Sequence, residues 1–412
     1  MNLAVNQERL LSEIEALARI SEAPPPAVTR IVFTPKDLEA RAWLRAKFEE
    51  AGLVVRQDAI GNTFARWEGT NAAAPPIATG SHTDAIPNAG KYDGVVGVLG
   101  GLEAIRALQQ SGFRPTRSIE LIVFTSEEPT RFGIGCLGSR MLSGTLTAEN
   151  ARRLIDGSDQ LLEDVRQKAG MQGNLESVRL PSGSYSAFVE LHIEQGPLLE
   201  RAQVLLGIVE SIAAPASLQI TLEGAGGHAG GVLMHDRKDA LCAAAETILA
   251  VETAANSSGS QDTVATVGIC EVFPGAVNSI PSRVRLTVDA RDIDLTRRDA
   301  VIRAVRNKAK AVSEKRGVSI HFEVVNADEP ASCSPIVINA LTQSCHKHAL
   351  PFQKMVSRAY HDSLFMSRIT PTGMLFIPCR NGYSHRPDEF AAPEDIVRGT
   401  LALAETLSLL AR

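Results

Sequence analysis

Residues 75–128, PPIATGSHTDAIPNAGKYDGVVGVLGGLEAIRALQQSGFRPTRSIELIVFTSEE, decide the reading of the fold. An apolar run ends at His82, a long apolar stretch runs from Val95 to Gln110, and a second apolar run ends at Glu127 and Glu128. Strand, helix and strand in that order predict the βα rhythm of a mostly parallel sheet, an α/β fold. Such sheets bind ligands outside the carboxyl ends of their strands, and both runs end in ligand-type side chains. A third run, AFVELHIEQ (187–195), carries His192.

Beyond Ile212 the pattern changes. SLQITLEG (217–224), RKDALCAAAETILAVETAA (237–255), TVATVGICEVF (263–273), SRVRLTVDARD (282–292), TRRDAVIRAVRNKAKAVSEKRG (296–317) and SIHFEVVN (319–326) read as βαββαβ, a ferredoxin-like α+β unit. Val284, Leu286 and Val288 alternate with Arg283, Arg285 and Thr287, so one sheet face is expected under the two helices and the other open. The expected organisation is a catalytic domain, 1–211 and 329–412, interrupted by an inserted lid or dimerisation domain, 212–328. At 412 residues, more than one core is the prior.

The formal charge of −5, with no basic face, argues against nucleic acid. Leu10, Leu11, Ile14, Leu17 and Ala18 fall at helical spacing in a polar N-terminus, which reads as an amphipathic helix and predicts no membrane partner. The six cysteines have no paired spacing. A disulfide framework or thiolate zinc site is therefore not expected, and the reducing cytoplasm fits.

GSHTDA (80–85), GKYDG (90–94), FTSEEPTRFG (124–133), ELHIEQGP (190–197) and GYSHRP (382–387) disperse histidines and carboxylates over three hundred residues. Gathered by the fold they would make a two-metal hydrolytic site. Bland readings exist for each group. Asp93 could cap the helix after Gly94, and His82 with Asp84 could be a polar turn, although a carboxylate two residues from a histidine also suits a metal ligand and its orienting partner. Adjacent glutamates after IELIVFTS are harder to explain structurally, because buried carboxylates need partners. One could ligate while the other exchanges a proton with water.

These motifs, with GGHAG (226–230), NSIPSRVRLTVDARD (278–292) and YHDSL (360–364), resemble the M20 metallopeptidase superfamily, and within it the hydantoinase/carbamoylase amidohydrolases. The resemblance implies His82, Asp93, Glu128, His192 and His385 as metal ligands with Asp93 bridging, Glu127 as general base and acid, and Asp84 as the residue orienting His82. It implies two divalent ions, manganese favoured and zinc possible. It implies substrate contacts at Gln195, His228, Asn278, Arg291, Tyr360 and His361, with His228 stabilising an oxyanion and Arg291 pairing with a carboxylate. The expected activity is hydrolysis of the ureido C–N bond of a small carboxylate. Ureidoglycolate is the first candidate, N-carbamoyl-L-amino acids or allantoate are alternatives, and a non-catalytic ureide-binding protein is the outside reading. A homodimer with lid residues shared across subunits is expected. His235, His321, His346 and His348 match no motif and are expected at the surface.

Overall fold

Ile77–His82 is a fully buried strand between two parallel neighbours, Ile119–Phe124 and Ala187–Ile193, and Thr372–Ile377 lies parallel beyond the latter. These four strands centre a nine-stranded sheet. Thr63–Trp67 and Val54–Gln57 extend it antiparallel on one side, and Leu206–Ile212 does so on the other, itself pairing with Ala331–Ser332 and Phe352–Ser357. The βα reading captured the parallel centre. It did not resolve the antiparallel flanks, whose short half-exposed runs carry little periodic signal.

Alternate residues of the central strands serve opposite faces. Ala78, Ile122, Phe124 and Phe188 join a core with Phe33, Ile60, Phe64, Leu137 and Met141 on one side. Helix Val95–Gln110 packs on the other, against strands Ile77–His82 and Ala187–Ile193 and against helix Pro393–Leu410. It is buried on every side from Val95 to Leu108, as expected of a helix apolar around its circumference. With both faces covered, the polar ends of the parallel strands are the exit for function. The N-terminal helix, Gln7–Ala18, buries Leu10, Ile14 and Leu17 and is capped by Asn6, while Arg9 pairs with the fully buried Glu103 of the central helix.

The computed structural model describes residues 3–412. They divide into two compact units: residues up to Glu210 with Ser332–Met355 and His361–Arg412, and Ser211–Ala331 with Val356–Tyr360. The second unit is a four-stranded antiparallel sheet in the order Val264–Phe273, Arg283–Asp292, Ala214–Glu223, Ser319–Ala327. Leu218, Ile220, Leu222, Val284, Leu286 and Val288 face helices Ala240–Asn256 and Leu295–Arg316, and the alternating polar residues face away. That is the expected one-sided α+β unit. No described helix is long and apolar enough to cross a membrane.

Candidate metal centre

Three strand ends and two connecting segments of the first unit, the turn carrying Asp93 and the loop carrying His385, converge. His82 closes its strand, and continuing the register of Thr79 opposite Val189 sets it level with His192; the two rings stack at 6.1 Å between centroids. Asp93 Oδ1 lies 3.2 Å from His192 Nε2 and 3.7 Å from His82 Nε2, while its Oδ2 lies 3.2 Å from His385 Nε2. Glu128 Oε1 is 3.1 Å from the same His385 nitrogen. Two groups of potential ligand atoms result, His82–Asp93–His192 and Asp93–Glu128–His385, the atoms of each within 4.8 Å of one another, with Asp93 common to both. All five candidate ligands are thus brought together.

Both buried histidines present Nε2 because their Nδ1 atoms are occupied by main-chain oxygens, that of Asp84 at 3.1 Å for His82 and that of Ile193 at 2.9 Å for His192. Asp84 therefore faces His82 twice, through its backbone carbonyl and through its carboxylate, whose Oδ1 lies 3.6 Å from the same Nδ1. That carboxylate also accepts the N–H groups of Glu127 at 3.1 Å and Glu128 at 3.0 Å, fixing the turn that aims both glutamates. The capping alternative for Asp93 fails: helix Val95–Gln110 has Gly94 at its N-cap and no side-chain cap. Gly94 has φ +66°, and a Cβ there would stand 2.5 Å from the His82 ring, so only glycine lets the helix start so close to that imidazole.

Glu127 Oε1 accepts from the buried Cys136 thiol at 3.4 Å, and its Oε2 lies 3.8 Å from His82 Nε2. Burial, then the neighbouring Glu128, Asp362 and Asp93, holds the Glu127 carboxyl well above the ordinary range against the opposing His82. Burial also raises Glu128, whereas for Asp93 the hydrogen bonds of His192, His385 and His82 outweigh burial and hold it well below. Neighbouring groups with proton affinities driven apart in this way are candidates for proton transfer.

Sequence reasoning missed Glu190 and Glu389 in a second tier and named its His361 and Gln195 only as substrate contacts. Glu190, two residues before His192, accepts from Ser81 Oγ at 2.7 Å and from Ser363 Oγ at 2.6 Å. A carboxylate inside the apolar run AFVELHI was the available signal. His361 is buried with its ring 4.5 Å from that of His192, and it forms a third ligand-type group with Glu190 and His192. Gln195 donates to Asp93 Oδ2 at 2.7 Å, and its Oε1 is buried with no hydrogen-bond partner among the described residues. Glu389 accepts from Tyr92 and Asp93 N–H, and burial, then Asp93, pushes its carboxyl up to about 7.

The other candidates belong to the second unit. His228 pairs with Ser279 in a short ladder, and Ala229 N–H donates to Asn278 O at 2.8 Å, so His228 and Asn278 are neighbours. Gly230 N–H donates to His228 Nδ1, leaving Nε2 to carry the ring proton. Arg291 pairs with Asp289 at 2.7 Å and stands 5.3 Å from the Tyr360 ring centroid. His235, His321 and His346 are exposed; His348 is half-buried beside Glu405.

The chain matches the model of the peptidase family M20/M25/M40 over residues 78–409. It is 50% identical to a ureidoglycolate hydrolase of Arabidopsis thaliana, covering 99% of this chain and 87% of that protein. It is 39% identical to an N-carbamoyl-L-amino-acid amidohydrolase of Pseudomonas sp. (strain NS671), covering 98% of each. A crystal structure of AtUAH in complex with glyoxylate superimposes with a TM-score of 0.93 at 50% identity, covering 99% of this chain and 98% of that one.

Proposed function

The chain belongs to the peptidase family M20/M25/M40, and from that premise we propose that it is a divalent-metal amidohydrolase that converts ureidoglycolate to glyoxylate, ammonia and carbon dioxide. It is a hydrolase of C–N bonds, as its named amidohydrolase relatives are. The observation that carries the reading is Asp93, shared between two ligand groups with Glu127 beside them. Identity of 50% along nearly the whole chain favours ureidoglycolate over N-carbamoyl-L-amino acids or allantoate.

The donor set is imidazole and carboxylate without thiolate, which fits hard to borderline divalent cations; manganese is the first choice and zinc the second. His82 and His192 would hold one ion, Glu128 and His385 the other, with Asp93 between. When bound, the ions supply Lewis-acid polarisation and a water acidic enough to attack near neutral pH. Glu127 would be the base that takes a proton from the attacking water. Cys136 engages its Oε1, so Oε2, on the His82 side, is the oxygen in position to do so. The water oxygen bonds to the ureido carbon, Glu127 returns the proton to the departing nitrogen, and the C–N bond breaks to release ammonia. The remaining carbamate loses carbon dioxide, and hydroxyglycine decays to glyoxylate and a second ammonia.

Gln195 Oε1, with no partner of its own, is the acceptor for a ureido N–H. His361, Asn278, Tyr360, His228 and Arg291 are the further substrate contacts of this reading. The His228 Nε2 proton suits an oxyanion, and Arg291, steadied by Asp289, suits the carboxylate. Ammonia release by manganese-loaded protein, offered the three ureide classes in parallel, tests the assignment. Ureidoglycolate should give the largest kcat/KM; preference for an N-carbamoyl amino acid or allantoate would move the chain to that branch.

The working form in this reading is a cytoplasmic homodimer in which His228, Asn278 and Arg291 complete the partner's site. The free cysteines and the four-stranded sheet, with its edge strands and its polar face away from the helices, support it. Mixing inactive Glu127→Gln and Arg291→Ala proteins should then restore up to about half of one dimer's activity after subunit exchange, because one site escapes both changes. Exchange without recovery would return Arg291 to its own subunit's site.

A further inference from the structure

Asp93 and His385 stand almost three hundred residues apart in sequence, and the buried carboxylate of Glu389 joins the segments that carry them. Its Oε1 accepts the N–H of Tyr92 at 2.8 Å and of Asp93 at 3.1 Å, in the turn that enters helix Val95–Gln110. Its Oε2 accepts from Ser384 Oγ at 2.9 Å, next to His385 in sequence, and the same hydroxyl lies 2.7 Å from Asp93 Oδ2. The following residue, Phe390, meets the Tyr92 ring edge-on with 6.2 Å between centroids. One side chain thus holds both the backbone behind the shared carboxylate and the loop that delivers the terminal histidine. That turn has no cap of its own, since Gly94 has no side chain to offer.

We infer that Glu389 is a positioning residue that presets the distance between Asp93 and His385 and so sets how tightly the Asp93–Glu128–His385 group holds its cation. Partners behind metal ligands are generally worth 10–100-fold in metal affinity, because they remove the cost of ordering the ligands when the ion arrives. The inference rests on the ligand assignment proposed above. It adds a residue outside the ligand set, one that touches neither cation nor substrate.

Gly90 provides an independent handle. Its φ lies outside the left-handed region, so alanine is tolerable for its backbone, but a Cβ there would stand 2.3–2.5 Å from the Glu389 side chain. Gly90→Ala therefore displaces Glu389 while leaving every ligand and Glu389 itself chemically intact.

The test is equilibrium dialysis of metal-free protein against Mn²⁺ and against Zn²⁺, with thermal melts to confirm folding. Glu389→Ala should weaken uptake at one of the two sites at least ~10-fold. Glu389→Gln should stay close to the unaltered protein, because its amide oxygen still accepts the two N–H groups and its NH₂ still reaches Ser384. Gly90→Ala should weaken uptake as Glu389→Ala does, and the double variant Gly90→Ala/Glu389→Gly should be no weaker than Glu389→Gly alone, since the clash, whose nearest atom is the Glu389 Cβ, disappears only when that Cβ is removed. Gly90→Ala, measured alone against Mn²⁺, decides the matter if Glu389→Ala does not fold. Unchanged affinity in Glu389→Ala, unchanged affinity in Gly90→Ala, or additive losses in the double variant would overturn the inference. If the unaltered chain took up no cation, the two-metal reading beneath it would fail instead.

Discussion

Glu127→Gln is expected to retain its metal and to lose turnover by at least ~10²-fold, the lower range for general acid–base catalysis. The substitution keeps the volume and one oxygen, so the contact with Cys136 can persist, and it leaves Glu128 and its approach to His385 untouched. What disappears is the oxygen that exchanges a proton between the attacking water and the leaving nitrogen. Burial and the surrounding Glu128, Asp362 and Asp93 hold the Glu127 carboxyl high, the direction a base needs if it must later act as an acid. Metal analysis of the purified variant is the control. Normal turnover, or loss of metal by this variant with retention by Glu128→Gln, would mean that the two adjacent glutamates have exchanged roles.

Replacing Asp93 by alanine is expected to be more severe, because one side chain serves both ligand groups. With Asp93 gone, each group keeps only two ligand candidates, His82 with His192 and Glu128 with His385. Metal content should fall toward background. The rate should drop on the order of 10³-fold or more, since metal assistance supplies several kcal/mol of transition-state stabilisation and each 1.36 kcal/mol is tenfold. His348→Ala, at a half-buried histidine that belongs to none of the ligand groups, should change neither quantity. A variant at Asp93 that kept both its metal and its activity would remove the bridge from the account. Chelation of the unaltered protein should mimic the Asp93 variant reversibly, with Mn²⁺ restoring turnover.

The parts of this molecule that were legible in the sequence are those where one residue type has few alternatives. A histidine ending a buried strand and a glutamate pair ending another are poorly explained by packing, and the fold brings them within a few ångströms of one another, as the parallel rhythm of residues 75–128 implied. The βαββαβ unit was equally legible, because its strands bury one face and its period of two survives intact in Arg283–Asp292. Interactions carried by main chain were not. Asp84 was read as an orienting carboxylate, and its Oδ1 does face His82 Nδ1 at 3.6 Å, but the same residue also meets that nitrogen through its carbonyl and secures the Glu127–Glu128 turn, which the sequence signal did not report. Glu190 and Ser384 each sat inside a recognised motif and Glu389 two residues past one, yet the contacts that tie them to the site, Glu190 to Ser81, Ser384 to Asp93 and Glu389 to the N–H of Tyr92, span more than a hundred residues, which no local spacing reports. The antiparallel flanks of the large sheet escaped for a related reason. Val54–Gln57 is almost wholly exposed and only four residues long, so nothing in its pattern separates an edge strand from a loop.

The account stands on two cations sharing Asp93, and anomalous diffraction from crystals of the manganese-loaded protein tests that most directly. Two peaks per chain are expected, about 3.5–4 Å apart as in other paired-ion hydrolytic sites, one against His82 and His192, the other against Glu128 and His385, with Asp93 between them. A single peak, or two peaks that do not share Asp93, would contradict it.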